Sequence, residues 1–148
     1  MLALTRKVGY GLIALTHLAR QPREELSTAR GIAERFGLPP SLLMNILKEL
    51  SAAGYVQSVR GVRGGYRLGR EPQEVSLADL VEVLEGQFQL ARCMRANGPK
   101  GKAPPCPLTG RCPIAGPVRK LRGELHDLMK GWTLAEIANP GEEQSTPA

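Results

Sequence analysis

The 148-residue chain has no apolar run long enough to cross a bilayer, no surplus of acidic residues and only three cysteines. The longest apolar stretch, Val8 to Ala19, contains Tyr10, Thr16 and His17 and meets Arg20 at once, well short of the roughly 20 residues a spanning helix needs. Arg6 and Lys7 precede it, but no small-residue cleavage site follows, so it reads as an amphipathic helix rather than a secretory signal. A soluble, cytoplasmic protein is expected, with no membrane partner. An odd number of cysteines in such a chain argues against a disulfide framework and for reactive or metal-bound thiols. None of them stands at the two-residue gap of a zinc knuckle or thioredoxin motif, which argues against a structural zinc finger. Also missing are a nucleophile–base pair, paired carboxylates in a glycine-rich cleft and a phosphate-binding loop, so an enzyme is the least favoured class.

What is present is positive charge. Twenty Lys and Arg stand against 14 Asp and Glu, for a net charge of +6, on a chain whose size and 42% apolar content suit one packed core with appendages. A positive field of this kind suits a polyanion, and the order of elements indicates which. Val8, Leu12, Leu15 and Ala19 mark one face of a first helix, with Thr5 as N-cap and Pro22 closing it. Ser27 is placed to cap a second helix carrying Ile32, Ala33 and Phe36, ended by a left-handed Gly37. A third helix starts at Pro40 and Ser41 and runs to Gly54, with Leu43, Ile46, Leu47 and Leu50 buried. Two helices joined by Gly37-Leu38-Pro39 give the outline of a helix-turn-helix. The other face of the third helix carries Ser41, Met44, Asn45 and Lys48, where Asn bonds adenine at two points and Lys favours guanine or phosphate; an ordinary solvated face is the alternative. Tyr55 to Val59 then reads as a strand, Gly61 to Gly65 as a turn and Tyr66 to Leu68 as the returning strand. The tip of this hairpin carries Arg60 and Arg63 among glycines, so guanidinium groups can enter a minor groove or clamp phosphates. The fold expected is mainly α, a winged helix-turn-helix with a small β-hairpin wing, and its partner is double-stranded DNA.

Ser76 and Asp79 form a capping-box-like start to a fourth helix with Leu77, Leu80, Val81 and Leu84 on its apolar face, ending at Gly86. Residues 87–113 shift to glycine, proline and basic residues, a loop long enough that a functional or disordered role is expected. Ile114, Val118, Leu121, Leu125, Leu128, Trp132 and Ala135 then recur at alternating spacings of four and three, the seam of a long helix packed against another. Gly123 and Gly131 interrupt it, and Thr133 with Glu136 has the spacing of a second capping box that would suit a restart. The seam finds its partner in a second copy, folds onto the first helix of the same chain, or does both. We expect a homodimer that reads a palindromic operator. The division expected is residues 1–86 for DNA binding, 87–113 for a cysteine-bearing sensor loop, 114–138 for a dimerisation helix and 139–148 for a disordered tail.

Cys93, Cys106 and Cys112 have twelve and five residues between them. Three thiols on a loop among basic residues make a ligand set for a soft metal centre such as an iron–sulfur cluster, with one ligand still to be supplied. The opening Leu4-Thr5-Arg6-Lys7 with Tyr10-Gly11-Leu12, the wing Val59-Arg60-Gly61-Val62-Arg63-Gly64-Gly65-Tyr66 and the three-cysteine loop before a long helix together resemble the Rrf2 family of bacterial transcription regulators, over roughly Met1 to Ala138. The resemblance implies a homodimeric winged-helix repressor whose [2Fe–2S] or [4Fe–4S] cluster, held by Cys93, Cys106 and Cys112, senses iron–sulfur status, nitric oxide or redox state. It also implies base- or groove-contacting roles for Ser41, Asn45 and Arg60. The first cysteine gap, commonly five in the family, is twelve here, closer to a redox-sensing subgroup. The family's fourth ligand, a His or an acidic residue, falls on Ala115 or Gly9; His17, Glu34 and His126 are the nearest alternatives by chemistry. A metal-free thiol switch, or a constitutive regulator with vestigial cysteines, is the competing function.

Overall fold

The computed structural model describes residues 3–91, 106–108 and 110–141. Cys93, most of the loop expected at 87–113, and residues 142–148 of the expected tail lie outside the described residues. Thr5 caps α1 (Arg6–Arg20), its hydroxyl accepting the Val8 amide at 3.3 Å. The buried face is Val8, Gly11, Ala14, Leu15 and Leu18. It is turned from the expected stripe, of which Leu12 and Ala19 are only partly buried. Gly11 is the reason: a Cβ there would stand 2.7 Å from Leu84 Cδ1, so the bare backbone admits a neighbouring helix. A periodicity of large apolar side chains does not register a glycine as core.

Thr28, not Ser27, caps α2 (Ala29–Phe36), accepting the Gly31 amide at 3.0 Å. Ser27 is held in an antiparallel bridge to Tyr66, each amide donating to the other's carbonyl at 3.0 and 2.7 Å, a long-range pairing that leaves Thr28 nearest the helix. Phe36 is 42% exposed and stands edge-on to the His17 ring, with the Arg35 guanidinium over its own ring. Gly37 takes the left-handed conformation, φ 65°, and turns the chain into α3 (Pro40–Ala52). Leu43, Ile46, Leu47 and Leu50 of α3 are fully buried. The helix stops at Ala52 rather than at Gly54, whose φ of 81° breaks it.

β1 (Val56–Val59) and β2 (Gly65–Leu68) pair antiparallel, Val56 opposite Leu68 and Val59 opposite Gly65. Tyr55, expected to open the first strand, lies before it in the core under the Arg70 guanidinium. A 3₁₀ turn (Pro72–Glu74) leads to α4 (Leu77–Glu85), whose capping box closes in both directions, Asp79 N–H to Ser76 Oγ at 3.1 Å and Ser76 N–H to Asp79 Oδ2 at 3.0 Å. The molecule is mainly helical with a two-stranded hairpin, a winged helix-turn-helix.

The C-terminal seam is carried by two helices. α5 (Ala115–Gly131) ends at Trp132, and α6 (Leu134–Ala138) restarts on the Thr133–Glu136 capping box. α5 lies along α4, whereas α6 turns back onto α1 and buries Leu134 and Ala138. Leu77 N–H donates to the Trp132 carbonyl at 2.8 Å, Leu134 N–H to the Val75 carbonyl at 2.7 Å, and Arg20 Nε to the Ala138 carbonyl at 2.7 Å. Of the arrangements expected for the seam, folding onto the first helix is met by α6, while α5 packs along α4. Ile114, Leu121 and Leu128 are left 61%, 50% and 61% exposed. No helix among the described residues is long and apolar enough to cross a membrane.

Candidate nucleic-acid interface and cysteine segment

Ser41, Met44, Asn45 and Lys48 all face outward from α3, on the side opposite its buried leucines. Their spacing places them in one stripe. Pro40 occupies the first turn, no side chain caps the helix and no acidic residue sits there, so the first amides stay open to an anion such as a backbone phosphate. The helix is fixed from behind: Glu49 pairs with Lys7 Nζ at 2.9 Å, and the same ammonium donates to the Leu84 carbonyl at the end of α4 at 2.8 Å. Sequence reasoning missed this tether because its partners come from three separate helices.

The wing is shaped by Gly64. A Cβ there would lie 2.2 Å from the Val59 carbonyl oxygen, a distance no side chain occupies. Its amide donates to the Gly61 carbonyl at 3.0 Å, closing the tip, and Gly61 has φ 119°. Arg60, Val62 and Arg63 project from that tip into solvent.

The cations divide into two groups. Arg23 pairs with Glu71, Arg67 with Glu24 and Gln57, Arg70 donates to the Ala53 carbonyl, and Arg122 donates to the Phe88 carbonyl. Among the described residues, Lys48, Arg60 and Arg63 make no ion pair or side-chain hydrogen bond, so their full charge faces outward from the helix stripe and the wing. Arg30, on α2, is likewise exposed and unpaired, and sequence reading passed it over. An exposed cation on the first helix of a helix-turn-helix is the signal that would have found it, because that helix crosses the backbone.

His17 joins the wing bridge to the helix pair. The Ser27 hydroxyl donates to Gln21 Oε1 at 2.7 Å, so at its 3.2 Å contact with His17 Nε2 it accepts, which fixes the imidazole proton on Nε2. Burial, then the Arg35 charge, lower the His17 pKa below 6.5, against an opposing pull from Glu25.

Of the candidate ligands, Cys106 and Cys112 are half-buried on the segment entering α5. The Cys112 carbonyl accepts the Ala115 amide at 3.4 Å, just ahead of the helix. Cys93 lies outside the described residues, and among those residues no three His, Cys, Asp or Glu side chains are grouped for a metal ion. His17 is bonded to Ser27, and His126 Nε2 sits 3.1 Å from Glu82 Oε1, pinning α5 to α4. Two thiols within one short segment are donors of the soft type an iron–sulfur centre requires.

A family model described as Rrf2, iron-dependent transcriptional regulator, matches residues 4–140. The HTH-type transcriptional regulator NsrR of Bacillus licheniformis is 31% identical over 134 residues, covering 90% of each chain. Among solved structures, CymR, the global cysteine regulator of B. subtilis, superposes with a TM-score of 0.71 at 28% identity, over 93% of this chain and 97% of its own. T. potens IscR gives 0.69 at 28% identity, over 99% and 93%.

Proposed function

Because the chain belongs to the Rrf2 family of DNA-binding transcriptional regulators, we propose that it is a repressor whose operator affinity is set by an iron–sulfur cluster held by Cys93, Cys106 and Cys112. The observation that carries the DNA-facing half is the set of unpaired cations and polar groups on one helix and one hairpin. Ser41, Asn45 and Lys48 address bases and phosphates in the major groove, with Met44 in the same stripe. Arg60 and Arg63 reach the minor groove or clamp its phosphates.

The division of labour follows the chain: residues 1–86 bind DNA, 87–113 sense, and 114–138 pair two copies. The apolar face of α5 supports the pairing, since exposed Ile114, Leu121 and Leu128 are buried if a second α5 lies against them. Two copies then present two recognition helices to a palindromic site. Residues 139–148 take no part in this scheme.

The cluster, when bound, supplies a redox- and nitric-oxide-reactive centre. The protein's own part is to carry its effect from Cys106 and Cys112 into α5, and from the end of α4 through Lys7 to Glu49 on α3. The device works only if the two states of the sensor segment differ in the recognition-helix placement they favour.

The test is iron and acid-labile sulfide content with a visible spectrum, on protein purified without oxygen, for wild type and Cys106→Ala. A coloured wild type with both elements in comparable amounts, lost in the variant, supports the reading. Operator affinity identical with and without the cluster at fixed salt would overturn the switch. The partial exposure of Cys106 and Cys112 favours one second reading, a metal-free thiol switch in which oxidation joins two cysteines. Mass analysis after alkylation, with and without peroxide, separates the two.

A further inference from the structure

We propose that Met44 reads the C5-methyl group of a thymine in the major groove, an inference that rests on α3 being the recognition helix. Three large apolar side chains are exposed on α2, α3 and the wing: Phe36, Met44 and Val62. Phe36 is engaged by His17 and Arg35. Val62 stands at the wing tip between Arg60 and Arg63, the cations suited to the sugar-phosphate edge. Met44 alone lies within a face of hydrogen-bonding groups, with Ser41 one turn before it, Asn45 beside it and Lys48 one turn after.

Its exposure of 45% and its place outside the core cluster mean that the fold does not require an apolar residue there. In the major groove the base edges present hydrogen-bond donors and acceptors, the small C5–H of cytosine and a single methyl group, that of thymine. An unbranched thioether can cover that methyl without needing a fixed angle, while its neighbours make the directional bonds. The contact favours thymine over cytosine at one base pair of each half-site, where the hydrogen-bonding residues of the stripe need not discriminate.

The experiment begins with duplexes selected by the full-length protein from a random pool. Each thymine of the selected half-site is then replaced singly by deoxyuridine, which removes only the methyl. Affinities are read by fluorescence anisotropy at fixed salt for wild type, Met44→Leu and Met44→Ala. Alanine is at least as good a helix former as methionine, so these exposed-site variants fold, as their melting curves will show. We expect one thymine per half-site whose methyl is worth about fourfold in affinity to wild type, the value for one buried methyl-sized group. Met44→Leu keeps the effect, and Met44→Ala abolishes it. A methyl that matters equally to wild type and Met44→Ala, or no thymine methyl that matters, overturns the proposal. Failure to enrich any duplex overturns the DNA-binding reading itself, and this inference with it.

Discussion

Gly64 is the residue at which the wing tolerates least change. A methyl group there would overlap the Val59 carbonyl oxygen at 2.2 Å, so Gly64→Ala must open the tip that carries Arg60 and Arg63. We expect a loss of about 1–3 kcal/mol in stability from the forced shift, together with weaker operator binding, read from denaturant melts and anisotropy. Arg60→Ala tests charge rather than shape. Affinity should fall, and if the guanidinium meets a phosphate the slope of log K against log salt should shrink by about one; Lys48→Gln gives the same comparison on α3. His17 sets a pH dependence with a definite sign. Its pKa is lowered in the folded chain, so the unfolded chain takes up the proton first. Its contribution is complete above 6.5 and is lost as pH falls through the lowered folded value. Melting temperatures of wild type and His17→Gln should therefore draw together as pH drops through that window.

At the level of elements, what the sequence disclosed and what it hid divide along the range of the forces involved. The α3 stripe, the Gly37 turn, both capping boxes and the hairpin arise from neighbours within a few residues, and each is legible from spacing. The exchange of cap from Ser27 to Thr28 and the rotation of α1 were not legible, because Tyr66 and Leu84 decide them from far along the chain. The candidate DNA residues could be named from helix phase, but the pairing of arginines among the described residues, which leaves Arg60 and Arg63 unpaired there and neutralises Arg23 and Arg67, is a tertiary fact. The Thr133–Glu136 box gives its own prediction. Hydrogen bonds from the Thr133 amide and hydroxyl lower the Glu136 pKa, so the cap holds above the carboxylate's unfolded pKa and is lost as pH falls through the folded value. Glu136→Gln should remove that acid-side dependence from the melting curve.

For the whole molecule, the unpaired face of α5 is decisive. Leu121→Glu or Leu128→Glu places charge on that face without touching the core of the single chain. Under the proposed pairing, sedimentation should give a dimer for wild type and a monomer for these variants, and operator affinity should fall because two half-sites are no longer read together. α6 has a different part. The amides of Leu77 and Leu134 cross-link the start of α4 to the chain's return, with Arg20 fastening the end. The chain between Val75 and Leu134 is in effect a loop drawn shut, with the C-terminal end of α5 fastened to the start of α4. Such a closure makes separate melting of α5 and the winged-helix part difficult. The amide protons of Leu77 and Leu134 should accordingly exchange with solvent only as fast as the entire protomer unfolds.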